Sequence, residues 1–168
     1  MMKNEDRKIL HDVCFSVFEQ LAFMFGEELE NDEIEIDADR FLRASMGFNG
    51  IKQGTVEIVV PWAISNLLAC NILGLEEDQI VDEDSSIDAL KELLNTITGR
   101  LMTSMFGENT VMDLTIPVTD ELDHAGELDV EPGQVLDRLH HAAEAAVGDR
   151  HVDGLGRPDL LVPVLIGA

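Results

Sequence analysis

The chain has 168 residues, 45% of them hydrophobic, enough to build one domain around a buried core. Its 34 Asp and Glu face 11 Lys and Arg, a formal charge of −23 whose field repels nucleic-acid phosphates and anionic lipid, so no nucleic-acid partner is expected. No secretory h-region, no run long enough for membrane insertion and only two cysteines, Cys14 and Cys70 in apolar surroundings, predict a cytoplasmic protein with reduced core thiols.

Leu10, Val13, Cys14, Val17, Leu21 and Met24 recur at helical spacing and predict an amphipathic helix from about Lys8 to Gly26. Ile34 to Ala38 alternates apolar with polar residues, and Gly54 to Val60 is a second extended run. With Gly47-Phe48-Asn49-Gly50 as the turn signal, these predict a long hairpin over roughly residues 33–60. Pro61 suits the first position of an apolar helix that runs to Gly74. The acidic stretch Glu76–Asp84 leads into Ser85 and Ser86, where a serine cap and carboxylates at the positive helix end start a long helix from about Ile87 to Phe106. Asn109 to Ile116 reads as a strand. This order predicts an α/β chain of the α+β type, long amphipathic helices packed on a largely antiparallel sheet.

Beyond Thr119 the composition changes: Phe106, Met112 and Lys91 are the last of their kinds. The predicted organisation is a core over residues 1–118 and a divergent C-terminal segment over 119–168, with a short helix at Pro132–Ala146 and a return to the sheet at 160–166. Charge does not mark the division, since residues 1–118 hold 23 acidic and 8 basic residues and the remainder 11 and 3. His140, His141, Glu144 and His151 lack a second well-spaced ligand pair, and the acidic runs lack the order of an EF-hand loop, so no metal site is assigned.

The two longest amphipathic helices share a spacing: Glu19 and Gly26 in the first recur as Glu92 and Gly99 in the second. At about 100° per residue, the apolar stripe of each lies opposite its glutamate. Each helix is followed by β-like sequence ending in proline, Gly54–Pro61 and Asn109–Pro117, which suggests a pseudo-duplicated domain. The strips around the glutamates differ. The second carries Asp88, Glu92, Asn95 and Gly99 at spacings of four, three and four, so a carboxylate, a carboxamide and a bare glycine share one exposed ridge. The first carries Phe15, Glu19, Ala22 and Gly26 and has lost that chemistry.

The pattern Asp88-x3-Glu92-x2-Asn95-x3-Gly99 resembles the signature of the CheC/CheX/FliY family of chemotaxis phosphatases, Asp or Ser followed by Glu, Asn and Gly at these offsets. Val56–Pro61 and Leu73-Gly74 are also similar, and the resemblance spans roughly residues 5–118. A single intact motif resembles the CheX branch more than CheC, where two are usual. The resemblance implies hydrolysis of the aspartyl phosphate on a CheY-like receiver domain, with no cofactor of the protein's own and Mg²⁺ carried by the receiver. It further implies that Asn95 orients the attacking water, Glu92 pairs with the receiver's active-site lysine, Gly99 allows close backbone approach and Asp88 supports the strip. A carboxamide suits that task because it donates and accepts hydrogen bonds without setting negative charge beside a phosphoryl group. Glu19 and Gly26 then form a degenerate, non-catalytic copy. CheX-type members are typically dimers, so a homodimer is compatible with the resemblance. The alternative is a non-catalytic adaptor or flagellar switch-associated protein of the same fold, which turnover separates from the phosphatase.

Overall fold

The computed structural model describes residues 4–24, 40–75, 81–123 and 164–167. In chain order its elements are α1 (Asn4–Ala22), β1 (Phe41–Asn49), β2 (Gly54–Pro61), α2 (Trp62–Leu73), α3 (Glu83–Phe106), β3 (Asp113–Leu114), β4 (Val118–Leu122) and β5 (Val164–Gly167). Three helices pack on an antiparallel sheet, the expected fold class, with β1 and β2 central, β3 and β4 both paired to the free side of β1, and β5 paired to β2. Among the described residues, no helix is long and apolar enough to cross a membrane.

The core follows from two periodicities. Along β1 and β2, every second residue (Leu42, Ala44, Met46, Phe48 and Val56, Ile58, Val60) is buried in one cluster with the helices. Along α3, Leu90, Leu94, Ile97 and Leu101 are fully buried, as the helical stripe requires. Cys14 and Cys70 are free and buried, and burial pushes the Cys14 thiol up to about 12, which leaves it inert as a nucleophile.

Three local expectations are corrected. The hairpin closes through residues 50–53, so Gly47 and Phe48 belong to β1 and not to the turn. Burial of Phe48 in the core outweighs the turn-like composition, while Ile34–Ala38 lies outside the described residues. α1 stops at Ala22: Phe23 takes φ 52°, and the Met24 N–H donates back to the Phe18 carbonyl at 3.1 Å as the Met24 side chain enters the core. Gly26 lies outside the described residues. α3 begins at Glu83, four residues early, because the cap is Asp82 and not a serine. Its carboxylate accepts from the Ser85 N–H and the Ser85 hydroxyl, both at 2.8 Å. Ser86 is instead buried in the α2–α3 seam, its hydroxyl donating to Asn66 Oδ1 at 2.7 Å, while the Ser65 hydroxyl donates to the Ser86 carbonyl at 3.0 Å.

The Asp82 cap carries a pH signature. The backbone hydrogen bond from Ser85, followed by the hydroxyl bond, holds its carboxyl below the usual carboxylate range. A depressed folded-state pKa stabilises fully above the unfolded value, about 3.9, and the contribution fades as pH falls through the folded one. Asp82→Ala is therefore expected to melt below the parent at neutral pH, with the gap closing below about pH 4. Thermal unfolding across pH measures this, and a gap independent of pH would contradict it.

The strand expected over Asn109–Ile116 is a two-residue β3 followed by β4, and together they make one interrupted edge strand. Phe48 pairs with Leu114 and Ser45 with Val118, so Met46 and Gly47 face three residues, Thr115, Ile116 and Pro117. That extra residue is a β-bulge, a device that bends a sheet edge and re-aims side chains. Thr115 fastens it: its N–H donates to the Gly47 carbonyl, and its hydroxyl accepts from the Gly47 N–H, both at 2.9 Å. A Cβ at Gly47 would stand 3.2 Å from Thr115 Cγ2, so glycine allows this approach. Arg43 clamps β4 to β1 by donating from Nε and Nη2 to the two Asp120 oxygens, at 3.0 and 2.6 Å.

β4 carries the sheet across residue 118, and β5, which overlaps residues 160–166 but reaches Gly167, pairs antiparallel with β2 from Ile58↔Val164 to Thr55↔Gly167. The helix expected at Pro132–Ala146 and the residues His140, His141, Glu144 and His151 lie outside the described residues.

Candidate functional site

α3 owes its exposed strip to the same repeat that builds its core stripe. With Leu90, Leu94, Ile97 and Leu101 turned to the sheet and α1, Asp88, Glu92 and Asn95 face outward and are exposed. The bulged edge strand rises beside them. Between the two runs an open groove of about 480 Å³, with Asp88, Lys91, Glu92 and Asn95 on the helix wall and Leu114 to Pro117 on the strand wall.

Glu92 and Asn95 take no hydrogen-bond partner among the described residues, so a carboxylate and a carboxamide one turn apart stand ready for groups brought from outside. Asp88 has an ion-pair neighbour: its carboxylate lies 3.8 Å from Lys91 Nζ, an exposed i,i+3 pair at the groove's lip. Lys91 is the one cationic side chain lining the groove among the described residues. Gly99 continues the strip one turn further on, and a Cβ built there would meet nothing within 4 Å. A glycine inside a helix is unfavourable by about 1 kcal/mol relative to alanine, and nothing in the described fold requires this one.

The pseudo-repeat is only partial. Glu19 is exposed on α1, away from the groove, and Phe15 is half-buried with its ring 4.3 Å from that of His11. Ala22, expected on the same exposed strip, is fully buried, so the strip does not continue along α1. Gly26, the expected counterpart of Gly99, lies outside the described residues.

Sequence reasoning found the helix wall but missed Lys91 and the whole strand wall. The alternation of Leu114, Ile116 and Val118 with Thr115, Pro117 and Thr119 was a readable signal of a two-faced extended segment. Its position opposite Asn95 was not, because that depends on pairing with β1 some 70 residues earlier in the chain.

The family described as chemotaxis phosphatase CheX matches residues 42–131. A comparison with curated protein sequences gives no match. Among solved structures, the chain resembles the CheX-CheY-BeF3-Mg²⁺ complex from Borrelia burgdorferi, with a TM-score of 0.62 and 15% identity over 95% of each chain. It resembles chemotaxis protein CheX from Vibrio vulnificus with a TM-score of 0.61 and 12% identity, covering 99% of this chain and 98% of that one. For a CheX from Desulfovibrio desulfuricans the TM-score is 0.56 at 18% identity, covering 71% and 79%. At these identities the likeness is one of fold, helices laid over an antiparallel sheet. Because the family match takes in more than half of the 168 residues, from β1 through α3 to the far side of β4, the chain belongs to the chemotaxis phosphatase CheX family.

Proposed function

We propose that the groove beside α3 hydrolyses the aspartyl phosphate of a CheY-like receiver domain, with Asn95 orienting the attacking water and Glu92 anchoring the receiver through its active-site lysine. The observation that carries this reading is that Glu92 and Asn95 lie side by side, exposed and without partners among the described residues, along one open groove. Family membership and the likeness to a structure that holds CheX with CheY, BeF3 and Mg²⁺ add to it.

The chemistry asks little of this chain. An acyl phosphate is already activated, and the receiver supplies the Mg²⁺ and lysine that offset phosphoryl charge. A water in line with phosphorus attacks, the bond from phosphorus to the aspartyl oxygen breaks, and inorganic phosphate and the free carboxylate are released. The chain's part is then to hold the water, which the Asn95 carboxamide does by hydrogen bonding, and to fix the receiver against α3, which Glu92 does. Lys91 is the one positive charge on a helix wall that also carries Asp88, 3.8 Å from it, and Glu92, and it offsets part of their charge toward a phosphorylated, acidic partner.

The direct test mixes the protein with a receiver domain phosphorylated by a small-molecule donor and follows phosphate release. Faster loss than the receiver's own rate is expected; an unchanged rate would overturn the proposal.

Gly99 gives an independent check. Gly99→Ala adds a methyl group to open space within a helix, so the fold is expected to gain about 0.5–1 kcal/mol. If the receiver packs against that turn, the same methyl weakens binding. Urea unfolding and receiver affinity are both measurable on this variant. A stabilised protein that binds as tightly as the parent would remove Gly99 from the contact.

A further inference from the structure

We infer that Leu114, Ile116 and Val118 on the bulged edge strand, extended by Val111, form the apolar docking lip for the receiver domain. This inference rests on the functional reading above and concerns the wall of the groove opposite Glu92 and Asn95. Ile116 is 85% exposed, Val111 84%, Val118 61% and Leu114 38%, which makes four of the eight large hydrophobic side chains the described surface leaves open. They fall within eight residues of sequence, and from Leu114 to Val118 the extended chain presents them along about 13 Å. Clustered apolar exposure of this kind marks an interaction surface, whereas scattered single residues do not.

Two observations commit the lip to the receiver. The first is continuity. Leu114 and Ile116 line the same groove as Glu92 and Asn95, so a partner seated with its phosphoryl group at Asn95 necessarily covers them. The second is charge. In a chain with 34 acidic residues, the eleven residues from Asn109 to Thr119 carry one charge, on Asp113. A receiver's phosphorylation site is itself acidic, holding carboxylates and the phosphate, and the strand wall, which carries no charge from Leu114 to Pro117, adds no repulsion to that of Asp88 and Glu92 on the helix wall, which Lys91 offsets in part. The bulge supplies the shape: its extra residue lifts Ile116 out of the ladder, and Pro117, lacking an N–H, leaves no donor there unpaired. The complementary surface on the receiver is an apolar patch next to its phosphorylated aspartate.

The test is binding of the full chain to a receiver domain activated with beryllofluoride and Mg²⁺, measured by calorimetry for the parent, Ile116→Asp, the milder Ile116→Ser, Val118→Asp, and Leu73→Ser as a control. Leu73 is an exposed apolar residue at the end of α2, outside the lip. The lip variants are expected to weaken the receiver about tenfold or more, and the control to match the parent. Circular dichroism reports folding, and sedimentation reports oligomeric state. A parent that binds, with Ile116→Ser and Val118→Asp binding equally well, overturns the docking lip and leaves the phosphatase reading standing. A parent that binds without hydrolysing, with weakened lip variants, supports the lip and removes the phosphatase reading. A receiver affinity that holds while the lip variants change the oligomeric state assigns the surface to a second copy of the chain and overturns the proposal, as does a parent that binds no receiver.

Discussion

Asn95→Ala is expected to lower receiver dephosphorylation by about 10²-fold or more while leaving the affinity for the beryllofluoride-activated receiver within about twofold of the parent. Asn95 is exposed and takes no partner among the described residues, so its removal should cost the fold nothing. What is lost is the group proposed to hold water in line with phosphorus, and misplacing a reactant by about 1 Å is enough for a loss of this size. Glu92→Ala is expected to behave in the opposite way, weakening receiver binding first. Single-turnover hydrolysis and binding, measured on both variants, separate the two roles. An Asn95→Ala protein as fast as the parent would leave the groove as a receiver-binding surface without catalysis.

Leu94→Ala carries the largest expected effect on stability, a loss of about 2–5 kcal/mol. Leu94 is fully buried, and the helix cannot collapse around the missing methyl groups because α1 and the sheet hold its flanks. Against a typical total of about 5–15 kcal/mol this is a large fraction. The expected reading in urea is a lower midpoint with an unchanged slope. The consequence reaches the site: Leu94 precedes Asn95 and fixes the rotation of α3 about its axis, so the exposed strip depends on the stripe beneath it. A midpoint shift worth less than about 1 kcal/mol would mean that the core beneath the strip is loosely packed.

How much was legible depends on how local the cause is. The apolar stripe of α3, the strip of Asp88, Glu92, Asn95 and Gly99, and the apolar helix ended by Gly74 are set by residues within a few turns of one another, and the structure has them where periodicity put them, except that Pro61 ends β2 and caps the helix that Trp62 opens, because it pairs with Phe41 in the sheet. The errors came where a local signal met a tertiary competitor. Gly47-Phe48-Asn49-Gly50 has turn composition, yet Phe48 gains more from burial in the core than from a turn. Ser85 and Ser86 are good caps in isolation, but Asp82 caps the helix earlier by accepting from the Ser85 N–H, and Ser86 is free to join α2. Ala22 sits at an exposed angle on a helical wheel, and the fold buries it.

The sequence by itself therefore determined the fold class, the buried and exposed faces of α3 and which three polar side chains face outward together, because amphipathic periodicity is a property of neighbouring residues. Only the tertiary structure decided that those side chains form one wall of a groove. The other wall is a β-bulge whose position depends on the register between β1 and an edge strand some 70 residues later, held by Thr115 on Gly47 and Asp120 on Arg43. A one-residue surplus in that pairing is invisible to any local pattern, since it exists only once two distant strands are laid side by side.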